Sequence, residues 1–190
     1  MEIYSFQDIW KIKGELLSSP FIHPTNSCYG IGGNIYSEGL YQQIYFIKGR
    51  PQEKPFFITV PDITMWKTLA VWDVRVDEFL WKFPDKIFTF ILKRKKELPG
   101  YINPNFSSVG IQIASGKLEQ LFMHIDFPVF WTSANISAQS PIYDSDSIKT
   151  TFWIYDDIIF LDGWNLQESS PSTIIDLRQG EYKILRWNLD

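Results

Sequence analysis

Short apolar runs rich in aromatic and β-branched residues recur along the chain. The clearest are Phe56-Phe57-Ile58-Thr59-Val60, Val109-Gly110-Ile111-Gln112-Ile113 and Phe127-Pro128-Val129-Phe130-Trp131. They are too short for helices and have the composition of buried strands. Stretches with helical spacing lie between them. Residues 37–48 place Leu40, Tyr41, Ile44, Tyr45 and Ile47 on one side behind a Ser37 N-cap, and 63–71, 76–81 and 118–124 carry similar patterns. Residues 6–17 approximate one further amphipathic helix, interrupted by Gly14. Phe21-Ile22 and 86–92 read as additional strands, and 153–161, 172–176 and 182–185 as closing ones. Helices and strands alternate early and strands dominate late. This predicts one α/β domain over 1–190, an open, twisted, mixed sheet with flanking helices.

Composition narrows the classes of function. A net charge of -4 argues against a large nucleic-acid surface, although a small basic patch remains open. Cys28 is the only cysteine, so the chain has no internal disulfide and no thiolate metal cluster, and a reducing, cytoplasmic setting is expected. No window approaches the roughly 18 apolar residues of a membrane span, and Met1-Glu2-Ile3-Tyr4-Ser5 lacks a leader pattern. As a nucleophile Cys28 would need His23 or His124 as base; as a small packed side chain it needs nothing.

Three polar stretches carry chemistry. Ile47-Lys48-Gly49-Arg50-Pro51 with Lys54-Pro55 confines three cations between two prolines at the end of the 37–48 helix. A point charge and a planar fork flanking a glycine suit an anion, while cations at a helix C-terminus also simply complement its dipole. His23-Pro24-Thr25-Asn26-Ser27-Cys28-Tyr29-Gly30-Ile31-Gly32-Gly33 is dense in hydroxyls and glycines, suited to a small polar ligand or to a plain strand–turn connection. Thr132-Ser133-Ala134-Asn135-Ile136-Ser137 follows a strand directly. Short donors and free amides at a strand's carboxyl end can converge on a phosphate, or merely cap the next element.

Together, in this order, these stretches resemble the YrdC family of threonylcarbamoyl-AMP synthases. Ser172-Thr173-Ile174-Ile175-Asp176 and Ile184-Leu185-Arg186 extend the resemblance to the C-terminus. It implies the family's open twisted sheet with a positively lined cavity on one face. It also implies a nucleotidyltransferase of tRNA processing that combines L-threonine, bicarbonate or CO2 and ATP into threonylcarbamoyl-AMP and pyrophosphate. Magnesium would arrive with ATP, without a protein metal site, and tRNA-modification proteins are implied as partners. By the same resemblance Lys48 and Arg50 are the catalytic cations. Thr25, Tyr29 and Thr59 take the substrate side, and Gln112, Ser133, Asn135, Ser172, Thr173 and Arg186 join Lys48 and Arg50 at the nucleotide. Thr89 matches a threonine of the central strand.

The chain also departs from that pattern. Gln112 replaces the arginine of V-G-V-R-x-P, Asn26 the acid of P-T-[DE], and Asn188 the glycine of L-R-x-G. Phe83-Pro84-Asp85-Lys86 departs from the P-G-P turn, and Thr59 stands where some members carry histidine. These differences support a second reading, a catalytically weakened paralogue that binds a nucleotide or RNA, double-stranded RNA included.

Overall fold

The computed structural model describes residues 1–51 and 53–188. Its strands are β1 (Glu2–Ser5), β2 (Phe21–Pro24), β3 (Tyr29–Asn34), β4 (Phe57–Val60), β5 (Phe88–Lys93), β6 (Ser108–Ile113), β7 (Val129–Ser133), β8 (Ile159–Asp162), β9 (Thr173–Asp176) and β10 (Lys183–Arg186). They form one sheet in the order β1-β8-β2-β3-β7-β4-β6-β5-β9-β10. Parallel pairs (β1 with β8, β8 with β2, β4 with β6, β5 with β9) are interleaved with antiparallel ones, giving the expected open mixed sheet. β8 is inserted between β1 and β2, and Glu2 pairs with Ile159.

The helices are α1 (Glu38–Lys48), α2 (Ile63–Leu69), α3 (Val74–Lys82), α4 (Lys117–Phe122) and α5 (Ser145–Phe152). The Ser37 hydroxyl caps α1 by accepting from the Leu40 amide at 3.4 Å, as its sequence predicts. Strand side chains alternate between two cores. Ile22, Phe130 and Phe160 face a large one with Leu40 and Ile44 of α1, Trp66 of α2 and Phe152 of α5. Phe21, Val129 and Leu161 face a smaller one under the N-terminal turns and Leu121 of α4. That second face becomes more polar away from this cover. Further along it, β4, β6 and β5 present Thr59, Gln112 and Thr89.

Four details differ from the sequence reading. Residues 6–17 form two 3-10 segments, Phe6–Lys11 and Glu15–Leu17, separated at Gly14, so the run does not make one continuous helix. Residues 153–158 are not strand: α5, capped by Asp144, precedes β8, which is confined to Ile159–Asp162. β1 is an additional edge strand, and β3 lies within the glycine-rich stretch. A Cβ at Gly32 would collide with the Phe130 carbonyl, and one at Gly30 would lie 2.8 Å from Thr25 Cγ2 and 3.3 Å from the Trp131 ring, so β3 has to be bare where β7 and the Thr25 turn close on it.

Candidate active site

The polar part of the second face floors a cavity of about 470 Å³. Six of the side chains predicted from the sequence line it: Thr25, Arg50, Gln112, Ser133, Ser172 and Arg186.

The Lys48-Gly49-Arg50 turn sends its two cations to different places. Gly49 has φ +55 and ends α1, its amide donating to Phe46 O and that of Arg50 to Tyr45 O, both at 3.1 Å. This double return requires a left-handed residue, which glycine adopts without a Cβ clash. Lys48, the last helical residue, points inward and is 1% exposed. Its ammonium donates to Ser133 O and Asn135 O at 2.5 Å and to Asn135 Oδ1 at 3.0 Å. Those bonds use all three of its protons. Asn135 is in turn fixed by Ser133 Oγ, which donates to its Oδ1 at 2.6 Å, and by its own Nδ2 donating to Gln139 O. Lys48 and Asn135 thus stand behind the wall and shape the Ser133-Ala134-Asn135 loop.

Arg50 turns into the cavity. Its Nε donates to Lys54 O, Nη1 to Thr132 Oγ1 and Nη2 to Pro55 O, at 3.1, 3.2 and 2.8 Å. The guanidinium lies 4.9 Å from the Phe56 ring centroid. Phe56 is itself clamped, because Asn103 Oδ1 accepts from its amide and Asn103 Nδ2 donates to its carbonyl, at 2.8 and 2.9 Å. Two guanidinium N–H groups remain for a ligand, held in a fixed plane.

A chain of polar side chains crosses the floor through adjacent strands. Trp131 Nε1 and Gln112 Nε2 both donate to Thr59 Oγ1, at 2.6 and 2.9 Å. Thr89 Oγ1 donates to Gln112 Oε1 at 3.0 Å and lies 2.8 Å from Ser172 Oγ. Since the single Thr89 proton is already committed, Ser172 donates to Thr89. Arg186 then donates from Nε to Ser172 O at 2.9 Å and from Nη2 to Ser172 Oγ at 3.4 Å. Gln112 is therefore the neutral hinge of a satisfied network.

The other predicted residues sit as follows. Tyr29 faces the large core, packing on Phe160 and donating its hydroxyl to Trp164 O at 3.0 Å. Thr59 lies under Trp131, and Thr173 accepts from the Asn188 amide at 2.9 Å. Thr25 lines the cavity, but its hydroxyl holds its own turn, donating to Cys28 O at 2.7 Å and accepting from the Ser27 and Cys28 amides. Cys28 also reaches the wall; burial pushes its thiol up, away from nucleophilic use. Burial pulls the His23 imidazole down to about 4, and its Nδ1 lies 3.1 Å from Pro24 O. Sequence reasoning gave no part to Phe57, Trp131, Lys86 or the segment Ser169-Ser170-Pro171, all of which line the cavity.

Burial, and then the neighbouring Arg50 charge, lower the Lys48 pKa to about 7. An unfolded chain holds this proton up to about 10.4. Between those values the unfolded state binds more protons than the folded one, so this group makes stability rise with pH across that window. Urea unfolding at a series of pH values, with Lys48→Met as reference, is expected to give a positive slope in wild type that the variant lacks; equal slopes would refute it.

The family model described as "Telomere recombination" (Sua5/YciO/YrdC) matches residues 18–187. The chain belongs to the Sua5/YciO/YrdC family. A threonylcarbamoyl-AMP synthase of Histophilus somni (strain 2336) is 26% identical over 161 residues, covering 82% of this chain and 86% of the relative. Among solved structures, P. abyssi Sua5 complexed with L-threonine superposes with a TM-score of 0.82 at 23% identity, over 97% of this chain and 56% of that one. E. coli YciO gives 0.78 at 22% identity, over 99% and 94%. The chain thus has the Sua5/YciO/YrdC fold and spans just over half of the Sua5 chain it matches. Among the described residues, no helix is long and apolar enough to cross a membrane.

Proposed function

We propose that this protein forms threonylcarbamoyl-AMP and pyrophosphate from L-threonine, bicarbonate or CO2 and ATP. The observation that carries this reading is the cavity itself, where the Arg50 and Arg186 guanidiniums stand over a floor of hydroxyls and amides. The family and the synthase named among its relatives support it.

Condensation of threonine with bicarbonate gives the carbamate and water. A carbamate oxygen then attacks the α-phosphorus, and the bond to the β-phosphate oxygen breaks to release pyrophosphate. No protein nucleophile is required, so positioning and charge neutralisation supply the acceleration. Arg50 neutralises the phosphate charge with its two remaining N–H groups, and Ser133, Ser172 and Arg186 hold the nucleotide. Lys48 and Asn135 set the shape of the Ser133 loop, while Thr59, Thr89 and Thr173 support the floor and its edge. Thr25 and Tyr29 shape the threonine end, the first by holding its turn and the second by fixing Trp164. Magnesium is carried by ATP; among the described residues Asp85 is the one carboxylate on the wall.

Purified protein should release pyrophosphate from ATP only when threonine and bicarbonate are both present. ATP binding without such turnover would favour the second reading, a nucleotide- or RNA-binding paralogue, which the neutral Gln112 supports. Calorimetry of Gln112→Arg addresses that residue directly. An added charged hydrogen bond is expected to tighten ATP about tenfold, even though Thr59 and Thr89 lose their shared partner. No gain would mean that a cation at position 112 is not what this cavity lacks.

A further inference from the structure

The segment 163–172 has no regular secondary structure, yet it joins β8 to β9, which are seven strand spacings apart. A flat sheet would separate them by about 34 Å. The chain from Asp162 to Thr173 reaches about 36–40 Å when extended. The ends also differ in register: Asp162 finishes beside Ser5, at the end of the sheet toward which β2 runs, whereas Thr173 starts at Phe88, at the opposite end of the sheet. The segment therefore runs as an extended strap diagonally across the cavity face. Ser169, Ser170, Pro171 and Ser172 form part of the cavity wall.

One residue joins this strap to two other parts of the wall. Asn26 Nδ2 donates to Ser115 O at 2.9 Å, and Asn26 Oδ1 accepts from the Lys117 amide at 2.7 Å. The backbone oxygen of Asn26 accepts from Ser169 Oγ at 3.2 Å. The turn after β2 and the turn after β6 leave opposite ends of the register, since Pro24 lies beside Tyr29 near Ser133 while Ile113 lies beside Val60. Asn26 closes them over the face between.

We propose that Asn26 is a positioning residue that latches the cavity's roof, and that it must be an amide because it donates to one backbone group while accepting from another. A carboxylate keeps the Lys117 bond but meets the Ser115 carbonyl oxygen with a second acceptor. The nearby titratable groups are Cys28 in the same turn, Lys117 on α4, and Glu168 beside Ser169, which faces Tyr143. The ligand consequence rests on the ATP-binding reading; the latch itself does not.

The test compares wild type with Asn26→Asp by calorimetry with Mg-ATP and by hydrogen exchange without ligand, at about pH 8 and about pH 4. Near pH 8 the variant should bind ATP about tenfold more weakly than wild type, with faster exchange in 169–172. Near pH 4, at the ordinary aspartate value, about half of the carboxyls are protonated and can again donate to Ser115, so the variant-to-wild-type ratio should move back toward one. A variant equal to wild type at both pH values, or equally impaired at both, overturns the latch. If wild type binds no ATP, the functional reading fails, and the exchange data still decide the latch. Should N26D not fold, Ser169→Ala at its exposed position decides the matter: unchanged exchange in 169–172 rejects it.

Discussion

Lys48→Met is expected to lower stability by about 2–4 kcal/mol and to reduce pyrophosphate release by about 100-fold or more. The methionine preserves much of the buried stem but removes the donor from Asn135 O, while Ser133 O keeps the Asn135 amide and Asn135 Oδ1 keeps the Ser133 hydroxyl. The orphaned acceptor costs about 1–3 kcal/mol and the two other lost charged bonds add to it, partly offset because a buried charge is no longer desolvated. The loss should appear as a lower urea midpoint with an unchanged slope. It should also raise hydrogen exchange in 133–137, because the loop loses its internal post. A variant as stable as wild type, with the loop still protected, would show that this ammonium supports nothing.

Arg50→Ala should weaken ATP binding by about 100-fold, and Arg50→Lys should recover only part of that. The alanine removes a charged donor and the group stacked on Phe56, whereas lysine restores the charge without a fork. Three of the five guanidinium protons are spent on Lys54, Pro55 and Thr132, so the plane of the other two is fixed before any ligand arrives. A flexible ammonium has no such constraint. Calorimetry across the two variants separates charge from geometry, and equal affinity of R50K and wild type would remove geometry from the account.

The parts of the fold that were legible are those where local chemistry and packing agree. α1 has a serine cap, an apolar side and a terminal glycine, and it lies where its sequence puts it. β3 was not legible because glycines signal a turn; a Cβ at Gly32 would meet the Phe130 carbonyl and Trp131 Cβ of the neighbouring strand, contacts that depend on a long-range pairing. Residues 6–17 show the reverse case. Their apolar spacing is helical, but Trp10 and Leu17 are exposed and the chain divides at Gly14 into tighter segments. In α5, the Asp144 cap with Ile148 and Phe152 one turn apart was the available signal.

The site divides in the same way. The motifs located the cavity, because Arg50, Gln112, Ser133, Ser172 and Arg186 all reach it. They did not reveal direction. Lys48 and Arg50 are two residues apart, and only the left-handed Gly49 between them sends one into the interior and the other to the surface of the pocket. The polar chain through Thr59, Gln112 and Thr89 required the strand register, which sets those side chains opposite one another. The roles of Asn26 and the strap required both register and topology.

The insertion of β8 between β1 and β2 has a consequence for biogenesis. On the ribosome, Glu2–Ser5 is made long before its hydrogen-bonding partner, which begins at Ile159. The edge formed by β1, β8 and β2 is therefore completed only once β8 has been made, and Phe21 and Ile22 wait with it. Such late, long-range pairing is slow and leaves apolar strand exposed in the nascent chain. The protein's exposure to chaperones and proteases is thus concentrated before β8 appears.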